Sequence, residues 1–420
     1  MKKLFTLILT AILAVGCCFG LTACGDDPVV ALICLHGEES SYDKNFIDAF
    51  KAACEAKGLT EDNYTIVTGI PEEGDDCYNR AVEFANAGYK AVFADSFGHE
   101  ANMIKAAKDF PDVQFCHATG TNTSKTLDQD ATNDTPANFH NAFASIYEGR
   151  YLAGVAAGLK LKALYGDDIT NEEAKIGYVG AHPYAEVISG YTSFYLGVKS
   201  IVPNVTMEVK YTYSWYDELA EKASALALIA NGAKLVSGHA DSMGVPAACK
   251  EKNVPNVFYN GTTSEDTFVI ASKINWQPYF EIMIDGALGK GEIPKDYTGN
   301  LASGSVQITA LGAAAAPGTQ EVLNDVKAKL VAGTVKVFDT ANFTVFNAKA
   351  DTSAFSKAGA ITMDANGKLI AYAADIIDLG DFAGETNAIE DGIFTESSKR
   401  SAPYFDIVID GITIGADVAA

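Results

Sequence analysis

From residue 28 onward, short apolar runs alternate with segments in which apolar side chains recur every three to four positions. The runs PVVALICL (28–35), YTIVTGI (64–70), AVFADS (91–96) and VQFCHATG (113–120) predict strands. Between them NFIDAFKAACEAKG (45–58) predicts a helix stopped by Gly58, and two more helices run through CYNRAVEFANAG and ANMIKAAKDF. Continuous apolar strands separated by helices are the pattern of a parallel sheet covered on both faces. PANFHNAFASIYEGRYLAGVAAGLKLKALYG (136–166) breaks this rhythm and reads as one long helical stretch. A second series then predicts strands at 175–181, 206–215, 234–240, 255–261 and 268–274, with helices through VISGYTSFYLGVKSI, LAEKASALALIANG and residues 244–252. Two such series predict an α/β protein of two lobes with a cleft between them. Beyond them, 278–291 and 318–333 read as helices, VKVFDT (335–340) as a strand, and ITMDANGKLIAYA and YFDIVIDGITI as strand-like pieces.

The N-terminus sets the compartment. Lys2 and Lys3 precede an apolar stretch, LFTLILTAILAVG (4–16), and small residues lead to Leu21-Thr22-Ala23-Cys24, the layout of a secretory signal. The tail LTAC resembles the bacterial lipobox, which implies that Cys24 becomes the lipidated first residue of the mature chain. A diacylated cysteine carries the two chains that stable anchoring needs. No other apolar run reaches the roughly 20 residues of a bilayer span. The expected protein is extracytoplasmic and held at the cell membrane by its lipid. Its expected divisions are the signal at 1–23, lobe one at 24–145 with part of 275–310 returning to it, lobe two at 146–274, and a segment at 311–420 that completes the lobes.

A formal charge of −23 argues against nucleic acid as a partner and gives no long-range attraction for phosphorylated ligands. Once the signal is removed and Cys24 acylated, Cys34, Cys54, Cys77, Cys116 and Cys249 remain. They are odd in number, form no C-x-x-C pair and sit partly inside apolar runs, so neither a disulfide framework nor a metal cluster is expected.

In doubly wound sheets ligands bind at the carboxyl ends of the strands. Those ends carry Ser41-Tyr42-Asp43, Asp95-Ser96-Phe97 and His117 in the first series. In the second they carry His182, Ser214-Trp215-Tyr216-Asp217, His239-Ala240-Asp241-Ser242, Asn260 and Asn275-Trp276. The set is rich in aromatics and neutral hydrogen-bonding groups and poor in cations, which suits a flat ring held between two aromatic faces. His239, Asp241 and Ser242 are the residue types of a hydrolase triad. However, they come from one strand end whose successive side chains point to opposite faces, and the chain has no G-x-S-x-G elbow. GALGKG (286–291) lacks the spacing of a phosphate-binding loop, and the scattered histidines form no metal-binding motif, so no cofactor is expected.

Several segments together resemble the basic membrane protein (BMP) family, substrate-binding lipoproteins of ABC importers related to bacterial purine nucleoside receptors. They are IYEGRYLAGVAAG (146–158), KIGYVGAHPYAEVISGYTSFYLGVKSIVPN (175–204), YSWYDELAEKASALALIANGAKLVSGHADS (213–242) and WQPYF (276–280). DSFGHEAN and FPDVQFCHATG, within 95–120, look like the branch associated with adenine-like ligands. The resemblance implies the type I periplasmic-binding-protein fold, two Rossmann-like lobes with three crossovers and a ligand cleft. It further implies that Tyr42 and Trp215 stack on the purine faces and that Asp43 stands where an Asn is usual. Asp241 would grip the base or sugar edge, with Phe97, Asn260 and Trp276 as further ligand-binding candidates. The stretch Tyr259-Asn260-Gly261-Thr262 lacks the aspartate that grips ribose in nucleoside-binding relatives, and the lysine usual after the next strand is also unmatched.

The function expected is that of a lipid-anchored receptor of an ABC importer, monomeric, without catalysis, binding a purine base or nucleoside by lobe closure and docking on a permease. The alternatives are a sensory receptor of the same fold, a secreted nucleoside hydrolase, and a sugar or amino-acid receptor.

Overall fold

The computed structural model describes residues 27–123, 135–350, 361–374, 376 and 386–416; Cys24 and the signal segment lie outside the described residues. Lobe one is built on β1 (Val30–Ile33), β2 (Tyr64–Val67), β3 (Ala91–Ala94), β4 (Gln114–Ala118) and β5 (Phe139–Ala144). Lobe two is built on β6 (Lys175–Gly180), β7 (Thr206–Tyr211), β8 (Val236–His239), β9 (Asn256–Tyr259) and β10 (Phe268–Ile274). The chain then returns to the first sheet as β11 (Asp296–Gly299), parallel to β5, and to the second as β12 (Val306–Ile308), antiparallel to β10. The six-stranded sheet runs β11-β5-β4-β3-β1-β2. The seven-stranded sheet runs β12-β10-β9-β8-β6-β7 and ends on a C-terminal strand, Ile412–Ile414, parallel to β7. β1 and β3 are mostly aliphatic and wholly buried, as strands covered on both faces must be.

The helices are α1 (Ser41–Ala56), α2 (Asp76–Asn86), α3 (Glu100–Asp109), α4 (Tyr147–Tyr165), α5 (Ala185–Lys199), α6 (Glu218–Ala230), α7 (Gly244–Lys252), α8 (Gln277–Ala287) and α9 (Thr319–Val331). Helix α1 starts where the Ser40 hydroxyl accepts the Asp43 N–H, 3.2 Å away, with an acidic residue in the first turn. Its buried stripe of Phe46, Ile47, Phe50 and Ala53 follows the helical period. Phe46 and Phe50 meet Phe280 of α8. In lobe two α4 and α5 cross at Gly154 and Gly197. A Cβ on either would overlap the other helix's backbone, so glycine at both positions is what permits the approach.

Two expected elements differ. The stretch 136–166 is not one helix: β5 precedes α4. The polar residues that hid the strand are buried with partners far along the chain. His140 lies 3.1 Å from the Pro294 carbonyl and 2.8 Å from the Gln114 side chain, and Asn141 meets Asp296 and Ser401. VKVFDT (335–340) is a run of turns with one bridge, Asp339 to Ile393. Its apolar side chains are buried for a different reason, since the Phe338 ring stacks 4.5 Å from Phe405.

The C-terminal segment touches both lobes. On lobe one, Ser401 N–H donates to Asp296 (2.7 Å) and its hydroxyl accepts from Asn141 (2.9 Å). On lobe two, Ser189 of α5 donates to Glu396, and Ile412–Ile414 extends the sheet.

Candidate functional site

The order of each sheet reverses once, between β1 and β3 in lobe one and between β6 and β8 in lobe two, and such points open a crevice at the strand ends. An empty space of about 370 Å³, partly open to solvent, lies where the two crevices face each other. Lobe one lines it with Leu35, Tyr42, Asp43, Ser96, Phe97 and Thr119; lobe two adds Glu186, Trp215, His239, Asp241 and Tyr259.

Tyr42 and Trp215 come from opposite lobes. Tyr42, in the first turn of α1, donates its hydroxyl to the Asp95 carbonyl at 2.8 Å, and its ring packs 4.9 Å from Phe46. Trp215 follows β7. Its carbonyl accepts the Asp241 N–H at 2.9 Å, and its ring lies 5.0 Å from His182. Phe97 packs 5.4 Å from Tyr184 of the other lobe. Thr119 has φ +67°, a left-handed conformation that is costly for a β-branched residue and is often found at binding sites.

Carboxyls dominate the polar wall. Asp43 accepts the His36 N–H (2.8 Å) and the Ser40 hydroxyl (2.6 Å). Asp95 accepts the Leu35 N–H (3.1 Å); burial first, then the Asp43 charge, pushes its pKa well above the usual carboxylate range. Cys34, Asp43 and Asp95 offer ligand atoms within 4.8 Å of one another. Burial holds the Cys34 thiol protonated, which works against its serving as a cation ligand. Asp241 is likewise raised, by burial and then by Asp43, Glu221 and Glu186. Glu186, in the first turn of α5, is pushed up to about 7 by burial, with Arg150 opposing. Arg150 of α4 is buried behind the wall, 3.6 Å from the Tyr259 ring centre, and donates to the Gly238 carbonyl at 3.2 Å.

His239, Asp241 and Ser242 are not assembled for nucleophilic attack. Ser242 faces lobe two's interior: its hydroxyl accepts the Gly244 N–H (3.1 Å), and its own N–H donates to Glu221 (3.2 Å). His239 lies 3.4 Å from Glu186, and burial followed by Arg150 keeps its imidazole neutral.

Of the ligand-binding residues expected from sequence, Tyr42, Asp43, Phe97, Trp215 and Asp241 come together on this cavity. Trp276 does not. The chain crosses back to lobe one at that point, and the Trp276 ring is buried in lobe one's core, stacked 4.3 Å from Phe46. Asn260 also lies off the cavity wall. Its side-chain oxygen accepts the Ile274 N–H at 3.2 Å, tying the end of β9 to β10. Glu186, Tyr259, Thr119 and Arg150 were not singled out by the sequence, although the acidic residue at the start of α5 was a signal available there.

A family model described as ABC transporter substrate-binding protein PnrA-like matches residues 38–340. A purine-binding protein of Brucella abortus is 33% identical over 214 residues, covering 50% of this chain and 54% of that protein. A Haloferax volcanii ABC transporter protein named as glucose-binding is 28% identical over 201 residues, covering 47% of this chain and 46% of that one. The chain thus spans about half the length of these curated relatives. Among solved structures, an ABC transporter solute-binding protein of Conexibacter woesei aligns with TM-score 0.57 at 19% identity, covering 74% of this chain and 98% of its own. One from Aeropyrum pernix aligns with TM-score 0.59 at 15% identity, covering 74% and 93%. At these identities the two structures establish the two-lobed α/β fold alone.

Proposed function

Since this chain belongs to the PnrA-like family of ABC transporter substrate-binding proteins, we propose that it captures a purine nucleobase or nucleoside outside the cytoplasm and hands it to an ABC permease. The observation that carries the reading is the pairing of Tyr42 and Trp215 on opposite lobes of one cavity whose polar wall includes the carboxyls of Asp43, Glu186 and Asp241. A flat heteroaromatic ring enters between the two faces, and Asp43 and Asp241 take its hydrogen-bond donors. Phe97 closes the apolar side. A ligand that touches both lobes favours the closed form, by no more than its difference in affinity for the two forms. The lipid on Cys24 keeps the receptor, as a monomer, beside the permease. The acidic wall disfavours phosphorylated ligands, and the absence of an aspartate directly after β9 favours a free base over a nucleoside.

The test is thermal unfolding of the purified chain, stripped of co-purified ligand, with adenine, guanine, hypoxanthine, their nucleosides, ribose and glucose. A ligand at one hundred times its Kd adds about 2.7 kcal/mol of stability. Stabilisation by bases alone assigns the cleft to the ring. Stabilisation by nucleosides means that another residue holds the sugar. A response to glucose and not to purines overturns the proposal in favour of a sugar receptor.

A further inference from the structure

Glu186 is a cavity-lining carboxyl placed against buried nitrogen bases. Its side chain is 12% exposed, its carboxyl lies 3.4 Å from the His239 ring, and Arg150 sits beyond, against the Tyr259 ring. The groups that face it come from every element around it. Arg150 on α4 and His239 on β8 are the nitrogen bases, while Glu396 on the C-terminal segment and Asp241 after β8 are acids. Tyr178 on β6, Tyr259 on β9 and Tyr42 on α1 complete the shell. One buried cation favours the carboxylate, and two acids and the loss of water oppose it.

We propose that Glu186 is a specificity-determining residue that reads the polar edge of the purine, and that the proton on its carboxyl decides which edge is accepted. The inference rests on the purine reading of the cleft. A protonated carboxyl offers a donor beside an acceptor; a carboxylate offers two acceptors. A 6-aminopurine presents an amino donor beside a ring-nitrogen acceptor and pairs with the protonated form. A 2-amino-6-oxopurine presents two adjacent N–H donors and pairs with the carboxylate. With a pKa near 7, both forms are populated around neutral pH, so the receptor changes its preferred purine as the medium acidifies. His239, kept neutral by burial, does not titrate in that range.

The experiment is calorimetric titration of the full chain with adenine and with guanine from about pH 5.5 to about pH 8.5, for the wild type and Glu186→Gln. In the wild type, adenine binding weakens by about tenfold between pH 6 and pH 8 as the competent fraction falls, and guanine moves the opposite way. Glu186→Gln keeps a donor and an acceptor at every pH, so its adenine affinity stays flat. Purine binding with a pH-independent adenine-to-guanine ratio in the wild type overturns this inference alone, whether or not the variant folds. A ratio that still shifts with pH in a folded Glu186→Gln protein overturns it as well. Absence of binding by either purine at every pH removes the purine reading and this inference together.

Discussion

The backbone N–H of Ser41 donates to the carbonyl of Asp241 at 3.1 Å, so the first residue of α1 in lobe one is bonded to the loop after β8 in lobe two. The Ser41 hydroxyl also reaches the Tyr259 carbonyl, 3.4 Å away. A helix's first N–H groups have no partner within the helix, and here one of them joins the lobes at the cavity's edge. The cleft and the lobe contact therefore share one short stretch of chain.

Ser41→Pro removes both of these bonds. Proline is well accepted at the first helical position, and Ser40 already has the extended conformation (φ −81°, ψ 127°) that a following proline demands. The substitution deletes the interlobe N–H and hydroxyl donors and leaves α1 intact. Loss of the two bonds, about 1–2 kcal/mol, lowers ligand affinity roughly five- to thirtyfold while the circular dichroism of the ligand-free protein is unchanged.

Trp215→Ala and Trp276→Ala separate binding from folding. Removing Trp215 costs about 1–3 kcal/mol of binding to a stacked base and little stability. Removing Trp276 leaves a void against Phe46 and costs about 3–5 kcal/mol of stability. Calorimetric titration and urea unfolding of both variants check the pair. Equal effects of the two on affinity would contradict the assignment.

Gly154→Ala reverses the usual helix rule. An alanine in mid-helix ordinarily stabilises by about 1 kcal/mol. At Gly154 its methyl meets the Phe194 carbonyl and the Gly197 backbone of α5, so the variant loses about 1–3 kcal/mol in urea unfolding.

Glu221 gives the protein a pH-dependent stability. Burial pushes its carboxyl from the ordinary 4.5 to about 7, against hydrogen bonds from Ser242 that lower it. The folded state thus holds the proton more tightly than the unfolded chain. This contribution is complete below about pH 4.5 and is lost as the pH rises through about 7, amounting to about 3 kcal/mol at most. Melting curves of the ligand-free protein between those values show a slope that flattens in Glu221→Gln.

Much of the framework is legible in the chain. Expected β10 at 268–274 and α7 at 244–252 coincide with the structure, since a continuous apolar run and a Gly-started helix carry their own signals. β5 escaped because His140 and Asn141 are buried polar groups whose partners lie at 114, 294, 296 and 401. Part of the cleft is legible in the loops that follow strands, where Trp215 and Asp241 lie, although Asn260 in the same position turns away from the wall. Trp276 satisfies the same rule but misleads, because the crossover at 275 reverses lobes and local pattern does not encode that. Arg150, inside a helix, reaches the wall from behind only once α4 is packed under β8 and β9.

The outer edge of β7 is covered by Ile412–Ile414, and Thr413 bonds to Met207, 206 positions earlier. A chain that grows from its N-terminus presents β7 with a bare row of N–H and C=O groups until residues 412–414 arrive. Bare edges recruit other strands, and incomplete lobes aggregate. Lobe two therefore passes through a stage with an open sheet edge, and a chain cut short before Ile412 keeps that edge bare.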